Sequence, residues 1–276
     1  MNGDWVDDTL DPTPVGLAGW CRLVLRGGVL AVLIFGGLLA LLVMRLAERP
    51  IFGAARPMTP YITQFVCKSA LWIMGIGLRI RGTPMVQHGA VVANHGSWLD
   101  IFALNAAQRV YFVSKSEVAG WPGIGWLARA TGTLFIARKS TDAKVQQMQF
   151  EARLRAGNRL LFFPEGTSTD TLRVLPFKTT LFAAFYTHDS EKLLHIQPVC
   201  VVYHAPKRRD ARFYGWWADM DFAAHLMTML ASSRHGYVEV ILQDPVAVDQ
   251  FSNRKDLSAY CEGIIRATHQ QHMSTV

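Results

Sequence analysis

The sequence predicts an α/β fold, with a mixed, partly parallel sheet flanked by helices and an N-terminal membrane-associated helical hairpin. Two observations support this prediction. From residue 90 onward, short apolar runs alternate with helix-like stretches, a pattern typical of a partly parallel sheet covered by helices. Ahead of them lies an uncharged run of 18 residues, Gly27 to Met44, bounded by Arg26 and Arg45.

The composition limits the class of protein. Of the 276 residues, 50% are hydrophobic and only 18% are charged, whereas about 25% are charged in ordinary soluble chains. A disordered chain is excluded, and the apolar residues are not spread over the many long runs of a polytopic transporter. The sequence therefore favours a globular domain with a membrane attachment.

The first 82 residues are predicted to form an acidic N-terminal tail, residues 1–20, and a membrane-anchoring helical hairpin, residues 21–82. The tail carries four Asp and no Lys or Arg. As a helix, the uncharged run would extend about 27 Å, close to the thickness of about 30 Å of a bilayer core. A signal peptide is a poor alternative, because the run starts late and leads into Arg45 and Glu48 rather than a small-residue cleavage site.

A second apolar stretch, Tyr61 to Ile80, is interrupted by Lys68. It could lie at the membrane interface with the Lys68 ammonium reaching the polar surface, or it could be a buried helix of the globular domain. Three prolines are expected to break the chain between the two apolar segments: Pro50, Pro57 and Pro60. Arginines flank both ends of the first run, so charge asymmetry does not fix its orientation.

Residues 83–276 are predicted to form the globular domain. Strands are expected at Ala90–Ala93, Val110–Ser114, Thr133–Ala137, Arg159–Phe163, Ile196–Tyr203 and Tyr237–Gln243. Helices are expected at Ser97–Ala107, Ile124–Thr131, Asp142–Ala156, Lys178–Thr187 and Arg254–His272.

The charge balance favours an anionic partner. The formal net charge is +7, and because the first 20 residues contribute −4, the other 256 contribute +11. A lipid headgroup surface, an acidic carrier protein, a phosphorylated substrate or a nucleic acid would suit such a body, although solubility alone is an equal explanation. The densest basic run is residues 206–212. No nucleic-acid-binding module is recognisable, so nucleic acid is not expected as a partner.

Several kinds of catalytic or binding site are excluded because their sequence motifs are absent. GxSxG, Walker A, HExxH and GxGxxG motifs are absent, which removes the usual serine-hydrolase, nucleotide and metalloprotease sites. The four cysteines are far apart and form no CxxC or Cys/His cluster, so no metal site is predicted. Nothing indicates a disulfide framework, and a reducing cytoplasmic setting is the default.

The segment VVANHGSWLDIF carries the first candidate site residues, His95 and Asp100. A strand, a turn and a helix start would place Asp100 in the first helical turn, where its carboxylate can fold back toward His95. A carboxylate that accepts one imidazole N–H fixes the tautomer and raises the basicity of the other nitrogen. The alternative is structural, because Ser97-x-x-Asp100 also fits a capping box.

Three further segments carry candidate residues at the ends of predicted strands. In LLFFPEGTSTD, Glu165 could be exposed to accept from hydroxyls and Gly166 would let a backbone N–H approach a substrate, unless this is an ordinary turn. In GTLFIARK, Arg138 suits a phosphate or carboxylate, or is simply solvated. In IQPVCVVY, Pro198 is expected to make that stretch an edge strand or a bulge.

Together the four segments resemble the glycerolipid (lysophospholipid) acyltransferases of the 1-acylglycerol-3-phosphate acyltransferase type. That family has an NHxxxxD (HX4D) motif, a GxxFIxR motif, an FPEGT motif and a strand with a conserved proline, in this order and at comparable spacings over about residues 90–203. The N-terminal hairpin also looks like the two-helix membrane motif of bacterial members. The resemblance would make residues 83–276 an acyltransferase domain.

The resemblance implies a role for each candidate residue. His95 would be the catalytic base for an acceptor hydroxyl and Asp100 would orient it, with direct attack on the thioester of acyl-CoA or acyl carrier protein. The acceptor's polar part would be bound by residues of two motifs, Arg138 and Glu165–Thr167. Pro198 would shape the donor or acyl side. No metal and no other cofactor is implied.

One departure from the family pattern bears on the acceptor. Phosphatidic-acid-forming members usually read FPEGTRS, whereas this chain has Ser168 where that Arg stands. An acceptor without a phosphomonoester would not need the Arg, and FYGWWADMDFAAHL at residues 213–226 looks similar to lyso-ornithine lipid acyltransferases. A lyso-aminolipid is therefore the expected acceptor and lysophosphatidic acid the alternative. The expected location is the cytoplasmic (inner) membrane, with the catalytic domain facing the cytoplasm.

Overall fold

The computed structural model describes residues 5–10, 15–53, 55–136, 143–186 and 194–274. Within these ranges the α-helices are α1 Leu17–Phe52, α2 Thr59–Met74, α3 Asp100–Ala107, α4 Ile124–Thr131, α5 Ala143–Arg155, α6 Phe222–Ala231 and α7 Arg254–Met273. The strands are β1 Gly77–Arg81, β2 Gly89–Ala93, β3 Tyr111–Lys115, β4 Leu134–Ile136, β5 Leu160–Phe162, β6 His195–His204, β7 Tyr237–Leu242 and β8 Val246–Ala247. Short 3₁₀-helices lie at Ser116–Gly120, Leu181–Phe185 and Val248–Gln250.

The described strands form one mixed sheet in the order β1-β7-β6-β2-β5-β3-β4, with β8 beside β6. The pairs from β6 through β4 are parallel, β7 and β8 run antiparallel to β6, and β1 is parallel to β7. The predicted mixed, partly parallel sheet is confirmed. The four parallel strands that follow β6 in this order place their carboxyl ends at one edge, which is where the candidate residues lie.

The apolar runs located the six expected strands to within one residue, as far as the described ranges extend. The helices were less regular than predicted. Helix α3 begins at Asp100 rather than Ser97, because residues 97–99 form a turn, and the stretch expected to be helical from Lys178 is a 3₁₀-helix from Leu181. Among the described residues, the strands β1 and β8, the helix α6 and the 3₁₀-helices at Ser116–Gly120 and Val248–Gln250 had not been predicted.

Helices cover both faces of the sheet. Alternate strand residues face opposite layers, as the pleat requires. Val91 and Leu161 pack in a core shared with α2, α3 and α6, while Val92 and Phe162 pack in a core shared with α5 and α7. The catalytic candidates at the strand ends therefore stand on a sheet that is held between two apolar layers.

Helix α1 extends about 54 Å at 1.5 Å per residue. By length and composition it could cross a membrane. It packs against α2, α6 and α4, so one stripe contacts protein while the opposite side exposes large apolar residues. The buried residues are Gly19, Leu30, Leu41 and Glu48, and the exposed ones include Leu17, Trp20, Val24, Val32, Phe35, Leu39 and Leu46.

Two arginines fix the first half of α1 to the globular domain. The Arg22 side chain donates to the carbonyl of Ala231, and Arg26 donates to the carbonyls of Leu230 and Ser232. These acceptors lie at the C-terminal end of α6, where helix carbonyls have no helical partner and attract cations. The arginines at this end of the uncharged run are therefore held by protein carbonyls.

A buried carboxylate closes the turn between α1 and α2. Glu48 accepts from the backbone N–H of Met58 and from both the N–H and the hydroxyl of Thr59. It therefore satisfies donors at the start of α2. Pro50 was expected to break the chain, but α1 continues to Phe52. The proline removes one helical hydrogen bond, from its own nitrogen to the carbonyl of Leu46, and the helix ends two residues later.

The second apolar stretch divides into a helix and a strand. Helix α2 ends at Met74 because Gly75 adopts φ +83°, a left-handed conformation that favours glycine. The expected continuation as a helix to Ile80 is wrong, since Gly77–Arg81 form β1 and pair with β7. The buried-helix interpretation applies to one face of α2, which joins the core, while Tyr61, Phe65 and Trp72 are exposed.

Candidate active site

The site is built where two loops meet at the carboxyl ends of neighbouring parallel strands. Residues 94–99 follow β2, and residues 163–171 follow β5, which pairs directly with β2. The structure thus brings these two segments together, and the segment IQPVCVVY on β6 reaches the same site through Tyr203. The remaining segment includes Arg138, which lies outside the described residues.

The expected contact between His95 and Asp100 is present. His95 Nδ1 lies 2.7 Å from Asp100 Oδ2, and that same oxygen accepts from the N–H groups of Gly96 and Ser97 at 2.9 and 3.1 Å. Asp100 is fully buried as the first residue of α3. The capping function and the orienting function are combined, because one carboxylate holds both the turn and the imidazole.

The second Asp100 oxygen is held by Tyr203, a residue that sequence reasoning missed. The Tyr203 hydroxyl donates to Asp100 Oδ1 at 2.6 Å from the buried end of β6. Burial, together with the negative charge of Asp100, raises the pKa of Tyr203 well above its ordinary value, so the phenol remains a donor. The only signal in the sequence was a phenol near the end of a strongly apolar strand.

Asn94 fixes the turn that presents His95. Its amide donates to the carbonyl of Val201 at 2.9 Å and accepts from the N–H of Val201 at 2.8 Å. The side chain therefore extends the pairing between β2 and β6 by one position after β2 has ended. This buried contact sets the point at which the chain turns away from the sheet.

Glu165 is not the exposed acceptor that the sequence predicted. Its side chain is 2% exposed, and its oxygens accept from the N–H of His95 at 2.7 Å and of Leu175 at 2.6 Å. Burial raises the pKa of Glu165 to about 8, against the opposing effect of these two hydrogen bonds. The carboxyl group points inward because the loop has two backbone donors to satisfy, and it holds the backbone of His95.

The carbonyl of His95 is bound by the same loop. Thr169 donates to it through its N–H at 3.0 Å and through its hydroxyl at 3.2 Å. Both backbone groups of His95 are thus bound by residues 165–169. The next residue, Gly96, is bound by another segment, because its carbonyl accepts from the N–H of Trp216.

The imidazole of His95 lies flat on an aromatic ring. The ring centroids of His95 and Phe163 are 4.0 Å apart, with 11° between the planes. The His95 side chain is 20% exposed, and Nε2 has no hydrogen-bond partner among the residues that the structure describes. With Nδ1 held by a carboxylate and Nε2 available, the group has the geometry of a general base for an incoming hydroxyl.

The remaining FPEGT residues belong to the loop that binds the His95 backbone. Gly166 adopts φ +74°, and a side chain there would meet the Lys178 ammonium. Thr167 is exposed, whereas Ser168, which stands where the family pattern has Arg, is 8% exposed. Thus Gly166 and Thr167 lie between the two residues, Glu165 and Thr169, that bind His95, while the Ser168 side chain is packed against the protein.

Pro198 lies inside the sheet, so the expectation of an edge strand or bulge is wrong. It pairs with Val92 on one side, and its carbonyl accepts from the N–H of Gln243 on the other. The nitrogen and oxygen of one strand residue point to the same side. The nitrogen of Pro198 therefore faces the part of β6 between its pairing with β8 and its pairing with β7. Neither strand pairs with β6 there, so the proline costs the sheet no hydrogen bond.

Comparisons with known proteins agree with this geometry. A family model described as Acyltransferase matches residues 78–202. The lyso-ornithine lipid O-acyltransferase of Rhodobacter capsulatus is 57% identical over 95% of this chain and 96% of its own length. The chain belongs to the acyltransferase family. The enzyme of the same description from Pseudomonas aeruginosa is 33% identical over 89% of this acyltransferase and 92% of its own length.

A solved structure has the same fold as this acyltransferase. The 1-acyl-sn-glycerophosphate (LPA) acyltransferase from Thermotoga maritima matches with a TM-score of 0.63, covering 92% of this chain and 96% of its own, at 19% identity. A 1-acyl-sn-glycerol-3-phosphate acyltransferase from Neisseria gonorrhoeae is 40% identical over 42% of this chain and 46% of its own length.

The basic run of the acyltransferase is partly neutralised by its own chain. The Arg212 side chain donates to the carboxylates of Asp210 and Asp8, so this cation is not free for an acidic partner. Lys207 and Arg208 are exposed. Part of the N-terminal tail is therefore docked on the catalytic domain, and only a portion of the predicted patch faces solvent.

Proposed function

We propose that this enzyme transfers a fatty acyl chain from an acyl thioester, acyl carrier protein or acyl-CoA, to the free hydroxyl of a lysolipid, with lyso-ornithine lipid as the acceptor. The observation that carries this proposal is His95, which is oriented by Asp100 through Nδ1 and presents Nε2 at the exposed edge of the sheet. The family and the two lyso-ornithine lipid O-acyltransferases among its relatives support it.

In the proposed mechanism the acceptor hydroxyl is the nucleophile. His95 Nε2 takes its proton as the oxygen bonds to the thioester carbonyl carbon. The carbon–sulfur bond then breaks, and the proton passes from the imidazole to the departing thiolate, so His95 returns to its neutral form. The Asp100 carboxylate stabilises the imidazolium while it exists. No covalent enzyme intermediate forms in this scheme.

The proposed substrate contacts divide into direct and indirect ones. Gly166 and Thr167, in the loop that binds the His95 backbone, are assigned to the acceptor's polar part, together with Arg138 from the GxxFIxR motif. Glu165 acts indirectly, because both of its oxygens hold backbone N–H groups. Pro198 is assigned to the donor side, from its position in register with Val92, at the strand that leads into the catalytic turn.

The acceptor is proposed from the FPEGTSTD segment. A phosphomonoester would favour a bidentate Arg, and this chain has the small, packed Ser168 at that position. Lysophosphatidic acid is the second candidate, because Arg138, Lys139 and Lys178 would be cations for phosphate contacts and a 1-acyl-sn-glycerol-3-phosphate acyltransferase is among the matches.

We also propose that the enzyme is bound to the cytoplasmic membrane, with the catalytic domain facing the cytoplasm. The support is the exposed apolar side of α1, continued by Phe65 and Trp72 on α2. Because the opposite side of α1 packs along α2 and α6, the hairpin would enter the bilayer as part of the folded domain.

The test uses purified protein in detergent with a labelled acyl-carrier-protein donor. Lyso-ornithine lipid and lysophosphatidic acid are offered in separate reactions, and His95→Ala is the inactive control. Acylation of the ornithine lipid supports the proposal, and acylation of lysophosphatidic acid alone overturns the acceptor assignment. Donor hydrolysis that needs no lysolipid would indicate a thioesterase instead.

A further inference from the structure

The ring of Phe163 is the nearest aromatic group to the proposed base. Phe163 directly follows β5, one residue before Pro164 of the FPEGT motif. Its ring is nearly parallel to the His95 imidazole, with 4.0 Å between the centroids. It also stacks on Phe112 of β3 at 5.9 Å, so His95, Phe163 and Phe112 form a column of ring contacts that reaches the core.

The stack and the carboxylate constrain the imidazole in different directions. Asp100 Oδ2 approaches Nδ1 at the edge of the ring, whereas Phe163 covers one face. An edge contact alone leaves the ring free to tilt about the hydrogen bond. A face contact removes that freedom, so Nε2 points in one direction.

We propose that Phe163 is a positioning residue for the reaction, and that its π face stabilises the His95 imidazolium formed when the acceptor hydroxyl loses its proton. The inference rests on His95 being the base of the proposed function. A cation over an aromatic face is attracted by the ring quadrupole, whereas the neutral imidazole gains much less. The contact therefore strengthens in the transition state, which is the condition for it to accelerate the reaction.

Several charged or titratable groups surround His95, and the test must leave them unchanged. Asp100 is contributed by α3, Glu165 and the Asp170–Arg173 pair by the loop after β5, Tyr203 by β6 and Lys178 by the chain beyond that loop. Ring fluorination of Phe163 changes none of these charges and little of the ring's shape. It withdraws electron density from the π face, which weakens the attraction for the imidazolium and also changes the stack between Phe163 and Phe112, so the same series at Phe112 serves as the control.

The experiment replaces Phe163 with phenylalanines that carry one, three and five ring fluorines. The matched control places the same series at Phe112, which belongs to the same column and does not touch His95. We expect kcat/KM for lysolipid acylation to fall stepwise at position 163, by about 3-fold to 30-fold over the series, and to stay level at position 112. The acid limb of the pH profile should move to lower pH by about 0.4 to 1.5 units.

A second readout does not depend on the substrate. Histidine labelled with ¹³C at Cε1, assigned through His95→Gln, gives the midpoint of the His95 titration by NMR. The midpoint should fall with each added fluorine at Phe163 and not at Phe112. If it falls although no lysolipid is acylated, the stack is supported and the proposed function fails. The proposal would be overturned if fluorination of Phe163 changed neither the titration midpoint nor the pH profile, and if both series lost the same activity.

Discussion

The hydroxyl of Tyr203 donates a 2.6 Å hydrogen bond to Oδ1 of Asp100, while Oδ2 of the same carboxylate faces His95. The two residues lie 103 positions apart and belong to β6 and α3. The proposed base, its carboxylate partner and the phenol form one chain of hydrogen bonds. The strand that carries Pro198 therefore also contributes to the candidate active site, through Tyr203 near its C-terminal end.

Tyr203→Phe removes the donor to Asp100 and keeps the ring. A hydrogen bond to a charged group is worth about 1.5–3 kcal/mol, so kcat should fall about tenfold or more as Asp100 becomes less well oriented. The control is Tyr214→Phe, because the Tyr214 ring lies 5.6 Å from Tyr203 and its hydroxyl binds Gly236 instead. Equal losses in both variants would assign the effect to packing.

Asp100→Asn should nearly abolish the reaction. An amide nitrogen cannot accept from Tyr203 or from the N–H groups of Gly96 and Ser97, so the imidazole loses its fixed tautomer. A loss of about 10³-fold to 10⁴-fold in kcat is expected, as for orienting carboxylates in general. The surface variant Asp221→Asn should retain activity. Steady-state kinetics and circular dichroism of both proteins provide the measurement.

The buried carboxyl of Glu165 predicts a pH dependence of stability. Its pKa is raised from 4.5 to about 8 in the folded protein, so the folded state holds its proton more tightly than the unfolded state. The resulting stabilisation is complete below pH 4.5 and is lost as the pH rises through about 8.

Thermal denaturation of wild type and Glu165→Gln checks this dependence. The Gln side chain does not titrate, so the stability of wild type relative to the variant should decline between pH 5 and pH 8, by at most about 1.4 kcal/mol per pH unit. A difference that is constant across this range would contradict a raised pKa for Glu165.

Ser168→Arg tests the acceptor assignment. Replacing this packed serine with the Arg of the phosphatidic-acid-forming pattern should raise the ratio of kcat/KM for lysophosphatidic acid over lyso-ornithine lipid by at least about tenfold, since a charge-assisted contact is gained. Thr167→Arg adds the same charge at the exposed neighbouring position. If both variants change the ratio equally, position 168 has no special role.

The apolar side of the hairpin should govern vesicle binding. Trp72 is 81% and Phe65 is 64% exposed on α2, so either Trp72→Glu or Phe65→Glu should weaken binding to lipid vesicles at least about tenfold without lowering Tm. The matched control is Tyr260→Glu on α7, across the sheet from the hairpin, where the ring is 38% exposed. Co-sedimentation that is unchanged in the α2 variants would reject this surface.

The sequence predicted the candidate site best where its residues lie close together in the chain. An apolar strand followed by a turn located His95 and Asp100, because the four residues between them form one turn that leads into a helix start. The strand β1 was missed because LRIR follows an apolar helix directly, and the only boundary signal was the pair Gly75 and Gly77.

The misassigned residues depend on distant parts of the chain. Whether Glu165 points to solvent or inward is decided by the backbone donors of His95 and Leu175, which local pattern does not reveal. Tyr203 binds Asp100 although 103 positions separate them in the chain. Pro198 costs the sheet no hydrogen bond because its nitrogen faces the place where the partner of β6 changes from β8 to β7. These features are products of tertiary pairing.

The contacts of α1 also order events during synthesis. The carbonyls that hold Arg22 and Arg26 belong to residues 204–209 positions later in the chain. At about 5–20 residues per second, a ribosome needs about 10–40 s to make that intervening segment. Throughout this interval an apolar helix of 36 residues has left the ribosome without its partner α6. Of its partners, α2 follows at once, whereas α6 comes last, so under the proposed membrane attachment the apolar side of α1 reaches the bilayer before the catalytic domain is complete.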